Sequence, residues 1–164
     1  GQQATVSLTG SGTCTNCFPI LSINTGGDAP DVMNQFNLLW TSLFPLPATE
    51  TFTISNQGAE ALEIQSITIT NDTGAPSGLY CNEAGEFSLP GASNFTVPPN
   101  GSSSVQVNLE YVGGLSSGTS LCGENDNYYL FNPNDNQNTI QILSNDPAVP
   151  ISTFRLGGTI TVLQ

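Results

Sequence analysis

The 164-residue sequence predicts an all-β chain folded as a two-sheet sandwich, of about seven to nine short strands. Three observations carry that expectation. Apolar residues recur at every second position in several short runs, turns rich in Gly, Pro and Asn separate those runs, and a single stretch offers a helical alternative to a strand.

The first run is ATVSLTGS (residues 4–11), which alternates apolar and polar residues and so has one face to bury. It matches the last run: aligned on Ser152 to Thr159, Thr5, Leu8 and Gly10 fall on Thr153, Leu156 and Gly158, and Val6 falls on Phe154. Residues 1–13 therefore read as an N-terminal extension strand ahead of a sandwich over 14–164. Three placements are open: in its own sandwich, in a neighbouring copy, or as the end of a preceding unit in a tandem array. Next, DAPDVMNQFNLLWTSLF spaces Val32, Phe36, Leu39, Trp40 and Leu43 near the helical period, while Leu38, Trp40, Ser42 and Phe44 alternate as in a strand. Both readings stand.

Further along, FTIS directs Phe52 and Ile54 to one side. In ALEIQSITIT the apolar parity changes at Ser66, from Leu62 and Ile64 to Ile67 and Ile69, which predicts a β-bulge or a strand crossing between sheets. FSL (87–89) and NFTV (94–97) are short candidates. After the PPNG turn, Val105, Val107, Leu109 and Tyr111 give the clearest half-buried strand. A long insertion of weak periodicity follows at about 113–137, then TIQIL (139–143) and FRLGGTITV (154–162), where Phe154, Leu156, Gly158, Ile160 and Val162 share a face.

Composition excludes most chemistry. There are thirteen acidic residues, one Arg, no Lys and no His, for a net charge of -12. One cation cannot meet a phosphate backbone or an anionic membrane, so nucleic acid is excluded as a partner, and no apolar run is long enough for membrane insertion. Without His or Lys there is no Ser-His-Asp triad, histidine-ligated zinc, Schiff base or P-loop. A carboxylate pair of the glycosidase kind is still chemically open, with Glu60 and Glu63 or Glu83 and Glu86 as candidates. These pairs fit strand and loop surfaces better, and no catalytic residue is expected. No cofactor is expected either. Glu124, Asp126, Asn132, Asn134, Asp135 and Asn136 gather oxygen ligands in the insertion, but the Gly that makes a calcium loop's sharp turn is missing, so the expectation is a solvated loop and no metal.

Four cysteines, Cys14, Cys17, Cys81 and Cys122, form an even set, and the CTNC half-site lacks a second CxxC, so two disulfides and an oxidising compartment are expected. Of three pairings, Cys14 with Cys17 and Cys81 with Cys122 is preferred: the first closes a small ring and the second joins two Gly-rich loops. Asn71, Asn94 and Asn100 head N-glycosylation triplets. With neither an initiator Met nor a signal peptide, the sequence reads as a mature secreted chain. LPATE (Leu46 to Glu50) imitates a sortase signal without its Gly or hydrophobic tail, and without Lys no isopeptide can form.

Four segments in order, TFTISNQGAEALEIQSITI, GEFSLP, FTVPPNGSSSVQVNLEY and IQILSNDPAVPISTFRLGGTI, resemble the immunoglobulin-like ASH or Hydin-type domain of bacterial surface proteins of the choice-of-anchor D type. The features are a T-x-x-N-x-G strand at Thr53 to Gly58, Phe87, the turn at Pro99 to Gly101, SNDP at Ser144 to Pro147, and L-x-G at Leu156 to Gly158. LEYVGG, where the family usually has F-x-P, and the insertion around Cys122 depart from the pattern. The resemblance spans about residues 49 to 161 and implies an immunoglobulin-like sandwich used for binding and building, with no catalytic residues.

These readings converge on a non-enzymatic, extracellular structural subunit of a surface filament or layer at the cell surface. It would be a homopolymer assembled head to tail by strand exchange, with Val6, Leu8 and Gly10 as the donor-strand contacts. The alternative is an adhesin module whose insertion uses Tyr128, Tyr129 and Phe131 to contact a glycan or protein ligand, although the same aromatics could instead plug the open end of the sandwich.

Overall fold

The computed structural model describes residues 17–27, 32–41, 47–70, 85–111, 127–129 and 138–163. Their ten strands form two facing sheets. The first holds β1 (Leu21–Asn24), β3 (Ala48–Asn56), β7 (Ser102–Tyr111) and β5 (Gly85–Ser88), in the order β1-β3-β7-β5 and antiparallel throughout. The second runs β2-β10-β9-β4-β6, from β2 (Val32–Thr41), β10 (Ile151–Leu163), β9 (Thr139–Ser144), β4 (Leu62–Thr70) and β6 (Phe95–Val97). Its one parallel pair is β2 with β10. This is the immunoglobulin-like all-β sandwich that the sequence predicts.

Two bulges explain two irregular patterns. Between the pairs Leu156↔Met33 and Gly158↔Phe36, β10 advances two residues and β2 three, so β2 carries one extra residue. Met33 and Phe36, three apart, are consequently both buried on the inner face, where a regular strand would place them on opposite faces. Residues 32–41 of the stretch that imitates a helix over 28–44 are thus a bulged strand. In β4 the shift falls between Ile64 and Ser66, with Gln65 as the extra residue, and Leu62, Ile64 and Ile67 all reach the core. The parity change at Ser66 is this bulge and not a crossing between sheets.

The long insertion is not structureless. Asn127–Tyr129 forms β8, which pairs antiparallel with β10 and sets Tyr129 against Thr159, Tyr128 against Ile160 and Asn127 against Thr161. Because β2 occupies the other side of those β10 residues, β8 lies on the same side of β10 as β9, further along the strand. Tyr128 and Tyr129 therefore belong to the sheet backbone. Phe131 and the oxygen-rich stretch lie outside the described residues.

Phe52, Ile54, Phe87, Val105, Val107 and Leu109 from the first sheet meet Met33, Phe36, Leu62, Ile64, Ile67, Val97, Ile140, Ile142, Phe154 and Leu156 from the second. Two edge-to-face aromatic pairs join the sheets. Phe36 meets Phe87 with ring centroids 5.1 Å apart, and Phe52 meets Phe154 at 5.0 Å. Such pairs are worth about 0.5–1.5 kcal/mol each beyond the area they bury.

Candidate assembly surface

At one end of the sandwich the two sheets are joined through buried polar side chains. Asn56, the last residue of β3, is 1% exposed. Its Oδ1 accepts from the amides of Ile20 (3.2 Å) and Gly58 (2.9 Å), and its Nδ2 donates to the carbonyls of Glu60 (2.7 Å) and Val97 (3.1 Å). An amide side chain offers two donor hydrogens and an acceptor with two lone pairs, so all of its capacity is used. Gly58 completes the joint by being small: a Cβ there would stand 2.0 Å from the Phe18 carbonyl oxygen. The segment entering β1 therefore lies directly over the β3–β4 connection.

The SNDP turn works the same joint from the other sheet. Asp146 Oδ1 accepts from the amides of Ala148 (2.8 Å) and Val149 (3.2 Å), bracing the β9–β10 turn, while Oδ2 accepts from Leu21 (2.7 Å) at the start of β1. Asn145 extends the β4 ladder with its side chain, accepting from the Glu63 amide (2.8 Å) and donating to the Ala61 carbonyl (3.2 Å). The motif residues that carry the family resemblance are structural: their polar groups bond the fold.

Burial alone would raise the Asp146 pKa, but the amides of Leu21, Ala148 and Val149 hold its carboxyl below the usual carboxylate range. With the folded pKa the lower one, the stabilisation is complete above the unfolded value of about 3.9 and is lost as pH falls through the folded value. Asp146→Asn is thus expected to cost roughly 1.5–3 kcal/mol near neutral pH, the range for bonds to a charged group. The gap from the parent should close as pH falls below about 4. Urea unfolding midpoints across pH 2–7 check this, and a gap constant with pH would show that the charge is immaterial.

The sequence-derived site residues divide by position. Val6, Leu8, Gly10, Cys14, Asn71, Cys81, Glu83 and Cys122 lie outside the described residues. Cys17 is disulfide-bonded. Every other cysteine lies outside the described residues, so the pairing of 14 with 17 and 81 with 122 stays an expectation. Asn94 and Asn100 are exposed, and Asn100 takes a left-handed φ of 56° in the turn closed by the bond from the Gly101 amide to the Pro98 carbonyl. Glu60 and Glu63 are both exposed on the surface.

Among the described residues, two kinds of surface offer contacts. One is a small apolar patch on the outer face of the second sheet, where exposed Ile151 pairs in register with half-buried Leu143 beside exposed Val149. The other is the set of sheet edges. β1 and β5 end the first sheet with four residues each, and β6 ends the second with three. β2 ends the second sheet's other side with ten.

No protein-family model matches the sequence, and no curated protein does. Among solved structures the chain is similar to the ASH/PapD-like domain (PapD-like domain 7) of human CEP192, at 10% identity and a TM-score of 0.48, covering 99% of this chain and 100% of that one. A Porphyromonas gingivalis W83 protein of unknown function is similar at 14% identity and a TM-score of 0.44, over 88% of this chain and 48% of that one. The Pseudomonas aeruginosa CupB2 chaperone is similar at 15% identity and a TM-score of 0.36, over 75% and 52%. The chain spans about half the length of the latter two. At such identities the likeness concerns fold alone. The chain's own two facing sheets make it the immunoglobulin-like β-sandwich that the sequence predicts.

Proposed function

We propose that this protein is an extracellular structural subunit of a surface filament or layer, joined to its neighbours by β-strand complementation. One observation carries the reading. Phe154, Leu156 and Gly158, which Val6, Leu8 and Gly10 match, are all buried on the inner face of β10. The N-terminal segment thus repeats the pattern that this fold uses to cover its own core. The disulfide at Cys17 supports an oxidising, extracytoplasmic setting. The exposed acceptors Asn94 and Asn100 are compatible with it. With one Arg and neither His nor Lys, the composition favours a building role over catalysis.

A subunit that gives one strand and receives another makes a head-to-tail contact, which propagates unless the rotation closes a ring. Burying Val6 and Leu8 in a neighbour is worth about 3–6 kcal/mol before the cost of ordering the segment. Deleting residues 1–12, or making Leu8→Asn, is expected to leave a folded, soluble monomer that no longer polymerises. Electron microscopy and analytical ultracentrifugation of the native chain and both variants provide the check. An intact chain that runs as a monomer, together with a truncated chain that unfolds, would return the segment to its own sandwich and end the filament reading.

A further inference from the structure

Resting on the strand-complementation reading above, we infer that the acceptor for residues 4–12 of a neighbouring copy is the outer edge of β2, over Phe36 to Thr41. Four strands end the sheets among the described residues, and three of them have only three or four residues. Those edges would leave more than half of a nine-residue donor unpaired. β2 has ten residues, and among the described residues its backbone ladder runs to β10 alone. Alternate residues of a strand direct their N–H and C=O groups to opposite sides, so among the described residues the second row of β2 carries no ladder.

Exposed edges are ordinarily guarded by brevity, charge, proline or a bulge. The β2 sequence VMNQFNLLWT has no charged residue and no proline. Its bulge lies before Phe36, and the register is unbroken from Gly158↔Phe36 to Leu163↔Thr41. Charge allows the same pair and disfavours only β5, which carries Glu86, since β1 and β6 are also uncharged. In a chain of net charge -12, the first charged residue is Asp28, so the donor and the β2 edge are both uncharged and meet without like charges in the ladder.

The test uses the full chain with proline at adjacent edge positions, Asn37→Pro and Leu38→Pro. One of the two prolines replaces an outward N–H and the other an N–H facing β10. The outward variant is expected to keep its thermal stability and lose sedimenting polymer; the inward one should lose stability. If the stable variant polymerises like the parent, the acceptor assignment is overturned. If both unfold, residue-resolved amide exchange of the assembled parent against Leu8→Asn decides. Slower exchange at alternate amides of Asn37 to Thr41, by about tenfold or more, supports the assignment. Donor-dependent protection on β1, β5 or β6 instead overturns it while strand complementation stands. A parent chain that does not assemble, or Leu8→Asn assembling undiminished, removes strand complementation itself and the β2 assignment with it.

Discussion

Asn56→Ala is expected to lower the unfolding free energy by about 3–5 kcal/mol, placing it among the most damaging single substitutions in the chain. Truncation strands the amides of Ile20 and Gly58 and the carbonyls of Glu60 and Val97 together. Glu60 is exposed and its carbonyl can be rehydrated, so the cost is less than four full penalties. Val97 is fully buried. Asn56→Asp sharpens the test: it keeps the shape and the acceptor but loses both donors and sets a carboxylate against two carbonyl oxygens. It should be at least as destabilising as Ala. Thr49→Ala, which removes an exposed bond to Asn108, is the control and should stay within about 0.5 kcal/mol of the parent. Urea unfolding of the three variants reads the result. Parent-like stability in Asn56→Asp would mean that the side-chain donors do not hold this end together.

What the sequence discloses here is set by the range of the interactions. Val105, Val107 and Leu109 alternate because neighbouring residues face opposite sides of one sheet, and all three are buried as their spacing implies. The parity change after Ile64 likewise reports a local event, the bulge at Gln65. β2 is ambiguous for the same reason. Its extra residue gives Met33 and Phe36 a spacing of three, which one sequence window cannot distinguish from a helical turn. β1 alternates in LSIN, but four residues are too short a run to separate a strand from a loop. Asn56 and Asp146, 36 and 125 residues away, hold its start in place. The TISNQG and SNDP motifs are visible as motifs, but their meeting at one end is a property of the fold. β8 is hidden for a further reason: its three residues pair with a strand about thirty residues away, and backbone pairing leaves no period to read over so short a run.

Gly158→Ala is expected to cost about 2–3 kcal/mol, although it adds a single methyl group. A Cβ at this position would stand 2.5 Å from the Phe36 carbonyl oxygen and 2.6 Å from the Phe36 Cβ. Two of the atoms in the way are backbone or next to it, so a rotamer change cannot make room. Phe36 itself is fully buried and packed edge-on against Phe87, which resists a shift toward the other sheet. β2 must therefore move away from β10 at the start of its regular stretch. Gly91→Ala is the matched control, since nothing lies within 4 Å of its would-be Cβ. It should be neutral or stabilising by up to about 1 kcal/mol, through the unfolded chain. Chemical denaturation compares the two. Assembly gives a second readout, because a displaced β2 presents a displaced edge. At temperatures where Gly158→Ala is still folded, its polymer yield should fall well below that of Gly91→Ala. Undiminished polymer alongside the lost stability would mean that a neighbour reads some edge other than β2.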